Sequence, residues 1–151
     1  MRTGPAVVAF LAVLVATRVW PEEEHAMANS AGLAAKLAAV GNRSTCRITT
    51  RGRKSGKPHT VTIWFLAEGT TIYLATLNAK RDWVRNLEKT PDVVLDLDGV
   101  RVRGRASAIA DPGADAHVRD LLARKYWMAW LGSWFGKGPE RTFRVDGLEA
   151  A

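Results

Sequence analysis

The residues best suited to chemistry lie in one short run, Thr49-Thr50-Arg51-Gly52-Arg53-Lys54-Ser55-Gly56-Lys57-Pro58. Gly52 and Gly56 let the backbone turn tightly and approach a ligand, and successive N–H groups in such a turn can form a nest for an anion. Arg53, Lys54 and Lys57 add full charges with donors suited to phosphate or carboxylate. The spacing is not that of a Walker loop, because Gly56-Lys57 is followed by Pro58 and no GxxxxGK run exists. A solvated basic turn is the competing reading. Between Ala26 and Ala67 there is no acidic residue, while Lys36, Arg43, Arg47, Arg51, Arg53, Lys54 and Lys57 are basic, so this stretch alone matches the chain's net charge of +7. Such an imbalance points to an anionic partner.

A second constellation, TLNAKRDWVRNL over residues 76–87, takes a strand through a polar corner into a helix whose first N–H groups face outward for an anion. Trp83 offers a face for stacking, or a ring to bury under the sheet. The remaining candidates are weaker. His59 reads as a surface residue beside the loop, Ser44 and Ser55 have no triad partners, and no His/Asp/Glu group has metal-ligand spacing, so no metal is expected. Cys46 is the single cysteine. It excludes an intramolecular disulfide and a thiolate zinc cluster, and it favours a reducing, cytoplasmic compartment. Tyr126 opens an aromatic run over residues 126–135 that is apolar nearly all round. That run suits a core or dimer-packing helix, or a substrate wall touching a membrane surface.

These groups need a scaffold, and 151 residues with 47% hydrophobic content suffice for one domain. Residues 30–40 have helical spacing, with Asn29 or Ser30 as N-cap and Gly41 as stop. Residues 45–50, 60–66 and 71–76 read as strands, 80–89 as a helix ended by Pro91, 112–125 as a helix opened by Asp111, and 142–145 as a last strand. The run VVLDLDGVRVRGRASAI, residues 93–109, alternates about Asp98-Gly99 and specifies a hairpin. Its register sets Leu97 against Val100, Leu95 against Val102, and Asp96 against Arg101 as a cross-strand ion pair. Six short strands with helices between them suggest an antiparallel barrel with helices outside. Ahead of this domain, residues 6–16 form an apolar run too short to span a membrane. With Glu22-Glu23-Glu24 just before Met27, residues 1–26 read as an extension: a misplaced start, a membrane-associating helix or a signal. Residues 27–151 then form the domain.

The segments TTRGRKSGKPHTVTIWFLAEGTTIYLAT and RDWVRNLEKTPDVVLDL resemble the deazaflavin (F420)-dependent nitroreductase and quinone reductase family, of the FMN-binding split-barrel superfamily, over about residues 45–108. The resemblance implies a mainly β fold with helices: a six-stranded antiparallel split β-barrel of the flavin-reductase and pyridoxamine-phosphate-oxidase kind. It implies a cofactor phosphate on Gly52, Arg53, Lys54, Ser55, Gly56, Lys57 and Pro58, with the ring near Trp64, Thr76, Leu77, Asn78 and Trp83. The expected reaction passes a hydride from reduced coenzyme F420, or from FMN, to a lipophilic quinone, nitro compound or activated alkene, with Tyr126 as candidate proton donor. A homodimer is implied as well. The chain is expected in the cytoplasm, with peripheral membrane contact through its tryptophans. The rival class is a basic small barrel binding single-stranded nucleic acid. Against it, Trp127, Trp130 and Trp134 share a helix while the basic run is a loop, so no nucleic-acid partner is expected.

Overall fold

The computed structural model describes residues 21–127 and 138–151. The order is α1 (Pro21–Val40), β1 (Thr45–Arg51), β2 (Pro58–Glu68), β3 (Thr71–Thr76), α2 (Asp82–Lys89), β4 (Asp92–Leu97), β5 (Val100–Ala108), α3 (Pro112–Lys125) and β6 (Arg141–Ala150). The strands close into an antiparallel barrel in the order β1-β2-β3-β6-β5-β4. Period-two alternation fills it: Cys46, Ile48 and Thr50 of β1 point inward while Thr45, Arg47 and Arg51 face out. Phe65, Ile72, Leu74, Leu95, Leu97 and Val145 complete a core closed to solvent.

The hairpin keeps the expected register, with Leu97 opposite Val100 and Leu95 opposite Val102. Its two-residue turn has φ 54° at Asp98 and 91° at Gly99, the doubly positive geometry that matches strand twist. The expected Asp96–Arg101 ion pair does not form. Asp96 is short enough to reach back to the turn, where its carboxylate accepts from the Gly99 amide at 2.9 Å. Asp98 pairs with Arg43 instead, at 2.7 Å.

Several boundaries differ from the sequence reading, among them β2, which runs Pro58–Glu68 rather than over residues 60–66 and so takes Pro58 and His59 from the expected loop. The first helix is already formed at Pro21, the first described residue of that segment, well before Ser30. Ser30 is internal, and its hydroxyl donates to the Ala26 carbonyl at 2.9 Å. Only Leu37 and Val40 of α1 are buried, so its N-terminal half stands away from the barrel. The second helix starts at Asp82, two residues after its expected beginning. The last strand runs ten residues: β6 lies between β3, which pairs with residues 141–145, and β5, whose ladder carries it on to Ala150. The third helix begins as expected, Asp111 capping the Ala114 amide at 2.7 Å. The apolar run 6–16 and the aromatic segment 128–135 lie outside the described residues.

Candidate functional site

The basic turn is folded on itself and tied to α2. Gly52 N–H donates to the Lys57 carbonyl at 2.8 Å and Gly56 N–H to the Gly52 carbonyl at 2.7 Å. Lys57 N–H donates to Ser55 Oγ at 3.2 Å. Arg53 N–H donates to Asn86 Oδ1 at 3.0 Å. Four of the loop's N–H groups are thus engaged within the protein, which leaves side chains as the main means of holding an anion. Gly56 has φ 69°, a conformation glycine adopts freely.

The side chains divide. Arg53 turns inward, its guanidinium 2.8 Å from Asp82 and 3.3 Å from Asn86 Oδ1, and hydrogen bonding from Arg53 holds the Asp82 carboxyl below its ordinary range. Arg51, Lys54 and Lys57 are exposed, and among the described residues none has a carboxylate partner. Asn86 is the residue the sequence reading missed. It is 3% exposed, takes both Arg53 donors on its oxygen, and gives its amide nitrogen to Thr50 Oγ1 at 3.1 Å. The available signal was its position three residues after Trp83, on the same buried helix face.

Beside this loop, β2, β3 and the start of α2 enclose a cleft of about 370 Å³. Trp64, Thr76, Leu77, Asn78 and Trp83, separated by up to nineteen positions in sequence, all border it. The corner is self-supporting: Asn78 N–H donates to Thr76 Oγ1 at 3.1 Å and Lys80 N–H to Asn78 Oδ1 at 2.8 Å. Trp83 is a core residue that lends the cleft an edge. It is 4% exposed and packs at a tilt on Phe143, ring centroids 5.7 Å apart. The loop residues 52–58 do not line the cleft. The link is Asp82, which borders it and pairs with Arg53.

A smaller apolar cavity of about 60 Å³ shares the wall formed by Trp64, Thr76 and Leu77, and is closed on its far side by Leu122, Ala123 and Tyr126. Trp64 stacks on Tyr126, centroids 5.2 Å apart and planes 14° apart. The Tyr126 hydroxyl fills a gap in the barrel. Strand β1 begins opposite Trp64, so β2 has no ladder partner on that side from Phe65 onward. Tyr126 accepts from Phe65 N–H at 3.2 Å, and its own proton is shared between the Phe65 and Ser44 carbonyls, each at 2.6 Å. Burial pushes this phenol up to about 12. The hydroxyl expected to deliver a proton is therefore engaged by backbone and holds the proton tightly. Among the described residues no cluster of three metal-ligating side chains occurs, and no helix is long and apolar enough to cross a membrane.

No curated protein matches the sequence. Solved structures share the fold. An F420-H2 dependent reductase aligns with a TM-score of 0.53 and 19% identity, covering 69% of this chain and 95% of that one. An FAD-binding protein from Mesorhizobium loti aligns at 0.54 and 17%, covering 76% and 88%. A chain described as a domain-swapped dimer aligns at 0.57 and 18%, covering 83% and 95%. The family model for pyridoxamine 5'-phosphate oxidase matches residues 33–150, from within α1 to the end of β6. With that match spanning the whole closed barrel, the chain belongs to the pyridoxamine 5'-phosphate oxidase family.

Proposed function

We propose that this protein is an oxidoreductase that binds the reduced deazaflavin coenzyme F420 in the cleft between β2, β3 and α2, and reduces a small lipophilic acceptor in the adjoining apolar cavity. The observation that carries the reading is the shared wall: Trp64, Thr76 and Leu77 face both spaces, so a ring in one lies against a molecule in the other. The donor set fits the group. Lys54, Lys57 and Arg51 are cations without carboxylate partners among the described residues, suited to a phosphodiester and a carboxylate tail. The cleft has room for a ring system.

When bound, the coenzyme supplies the hydride. This chain's residues do the rest. Lys54 and Lys57 bind the anionic groups, while Asn86 and Arg53 hold the loop against α2. Trp64, Leu77 and Asn78 orient the ring, and the apolar far wall keeps water from the acceptor. We assign the accompanying proton to solvent at the cleft mouth rather than to Tyr126, whose hydroxyl is engaged by Ser44 and Phe65. The acceptor class we propose is a quinone, nitro compound or activated alkene, held mainly in the cleft and reaching the apolar cavity with one edge. Two copies are proposed to associate, a reading supported by the domain-swapped dimer of like fold. FMN in the same cleft is the alternative, since it also carries a phosphate.

Fluorescence titration with each cofactor separates these readings. We expect F420 to bind at low salt, more tightly than FMN, and to weaken as ionic strength rises because the contacts are partly charge–charge. Tighter FMN binding selects the alternative, and binding of neither removes the oxidoreductase reading.

A further inference from the structure

The apolar cavity beside the cleft has one charged side chain on its wall among the described residues, Arg119. It stands with Leu122, Ala123 and Tyr126 along α3 and its C-terminal cap, at the spacing i, i+3, i+4 and i+7 that sets all four on one helix face. An arginine on that otherwise apolar face is held at two of its three nitrogens. Nε donates to Asp115 Oδ2 at 2.6 Å and Nη1 to the Pro139 carbonyl at 2.5 Å. Asp115 also accepts from the Thr142 hydroxyl. Gly138 leaves room for the guanidinium, since a Cβ there would stand 3.2 Å from Nη1. Burial acts to raise the Asp115 pKa, but hydrogen bonds from Thr142 and Arg119 outweigh it and hold the carboxyl below its ordinary range. The two side chains therefore form a pair without net charge. Nη2 has no hydrogen-bond partner among the described residues, and the Arg119 side chain is 35% exposed.

We propose that Arg119 is the residue that recognises the acceptor: its Nη2 donates to a neutral oxygen, such as a quinone carbonyl, on the edge of the molecule that reaches the apolar cavity. The inference rests on the oxidoreductase reading and adds to it the group that fixes the acceptor. A quinone carries oxygens at opposite ends of a flat ring, so one oxygen enters the small cavity while the ring stays in the cleft. With Asp115 cancelling its charge, Arg119 offers direction rather than net attraction, and the apolar walls strengthen a single well-aimed N–H. The planar guanidinium is already fixed by Asp115 and Pro139, so little freedom is lost when the acceptor arrives. A hydride, two electrons and one proton, converts the quinone to the hydroquinone monoanion, whose charged oxygen lies against Nη2. One solvent proton then completes the hydroquinone.

The test uses duroquinone with the full chain and no coenzyme. Binding is followed by quenching of tryptophan fluorescence, and the quinone's carbonyl stretch by difference infrared spectroscopy with an isotope-labelled carbonyl. The stretch of the bound quinone is expected below its position in hexane. Arg119→Met should return it towards that position and weaken binding about tenfold. Thr142→Val, which removes a partner of Asp115 but keeps the guanidinium, should lower the urea midpoint and leave both quinone readouts nearly unchanged. A stretch at the hexane position in the unsubstituted protein overturns the proposal without recourse to any variant, as does the absence of saturable quenching. An equal loss of binding in Thr142→Val overturns it too, because Arg119 would then serve only as a strut between α3 and β6. F420 affinity, titrated separately, should be the same in Arg119→Met as in the unsubstituted chain. Failure of F420 to bind removes the oxidoreductase reading, while the carbonyl stretch still decides the Arg119 contact.

Discussion

Arg53 and Lys54 are adjacent and carry the same charge, yet the fold gives them different surroundings. Arg53 is held by Asp82 and Asn86, its side chain 22% exposed, whereas Lys54 projects into solvent without a carboxylate. Lys54→Ala should therefore weaken cofactor binding by about 1.5–3 kcal/mol, the range for a charge-assisted hydrogen bond. At about 1.4 kcal/mol per tenfold, that is roughly ten- to a hundredfold in Kd. Its urea midpoint should hardly move, since exposed substitutions stay within about 0.5 kcal/mol. Arg53→Ala should show the reverse emphasis: a clear loss of stability, with binding reduced because the loop loosens. Arg101→Ala, exposed on the hairpin, is the control for general attraction. Equal small binding losses for Lys54 and Arg101 would make the loop a solvated turn. Titration and urea melts on the same three variants distinguish these cases.

Among the elements, legibility followed the range of the forces involved. The hairpin was readable to the residue because alternation and an Asp-Gly turn are local signals, and its register followed from them. The strand Thr71–Thr76 and the helix capped by Asp111 were readable for the same reason. The length of β6 was not. Residues 146–150 contain Asp146, Gly147 and Glu149, poor strand formers that β5 alone carries in the ladder, since the pairing with β3 ends at Val145. The candidate site was half legible. The five cleft residues could be named from the resemblance, but the inward turn of Arg53 depends on Asn86, 33 positions away, which no local pattern announces. Nor did the sequence explain why position 104 is glycine. The ladder between β5 and β6 shifts register between Arg103 and Arg105. A Cβ at Gly104 would sit 2.7 Å from Leu148 Cδ2 and 2.9 Å from both the Asp146 carbonyl and Val145 Cγ1. Gly104→Ala should destabilise the barrel by about 1–3 kcal/mol, the usual range for overpacking. Chemical denaturation of the variant checks it, and an unchanged midpoint would mean that the bulge can open.

For the whole molecule, four groups shifted by full or partial burial set the alkaline stability profile. Lys125 titrates near 8 when folded against 10.5 ordinarily, so between those values the unfolded chain binds a proton the folded one lacks, and stability rises with pH. Cys46, pushed by burial up to about 12 from 9.0, acts oppositely above pH 9, where only the folded form keeps its proton. Tyr126, up to about 12 from 10.0, does the same above pH 10, joined by Tyr73, which burial also raises. The urea midpoint should climb from pH 8 to 9, level off, then fall above 10, and Lys125→Met should lose the climb. A profile that falls steadily from pH 8 in the unsubstituted chain would contradict this reading. The insertion of β6 between β3 and β5 has a further consequence, for synthesis. While the chain emerges from a ribosome, five strands can assemble, but β3 and β5 each keep an unpaired edge until residues 141–150 follow. Unpaired edges are templates for pairing with other chains. Every nascent copy thus passes through an interval of exposure that the finished barrel never shows, and codon choice or chaperone capture over those residues would govern how much of the protein survives it.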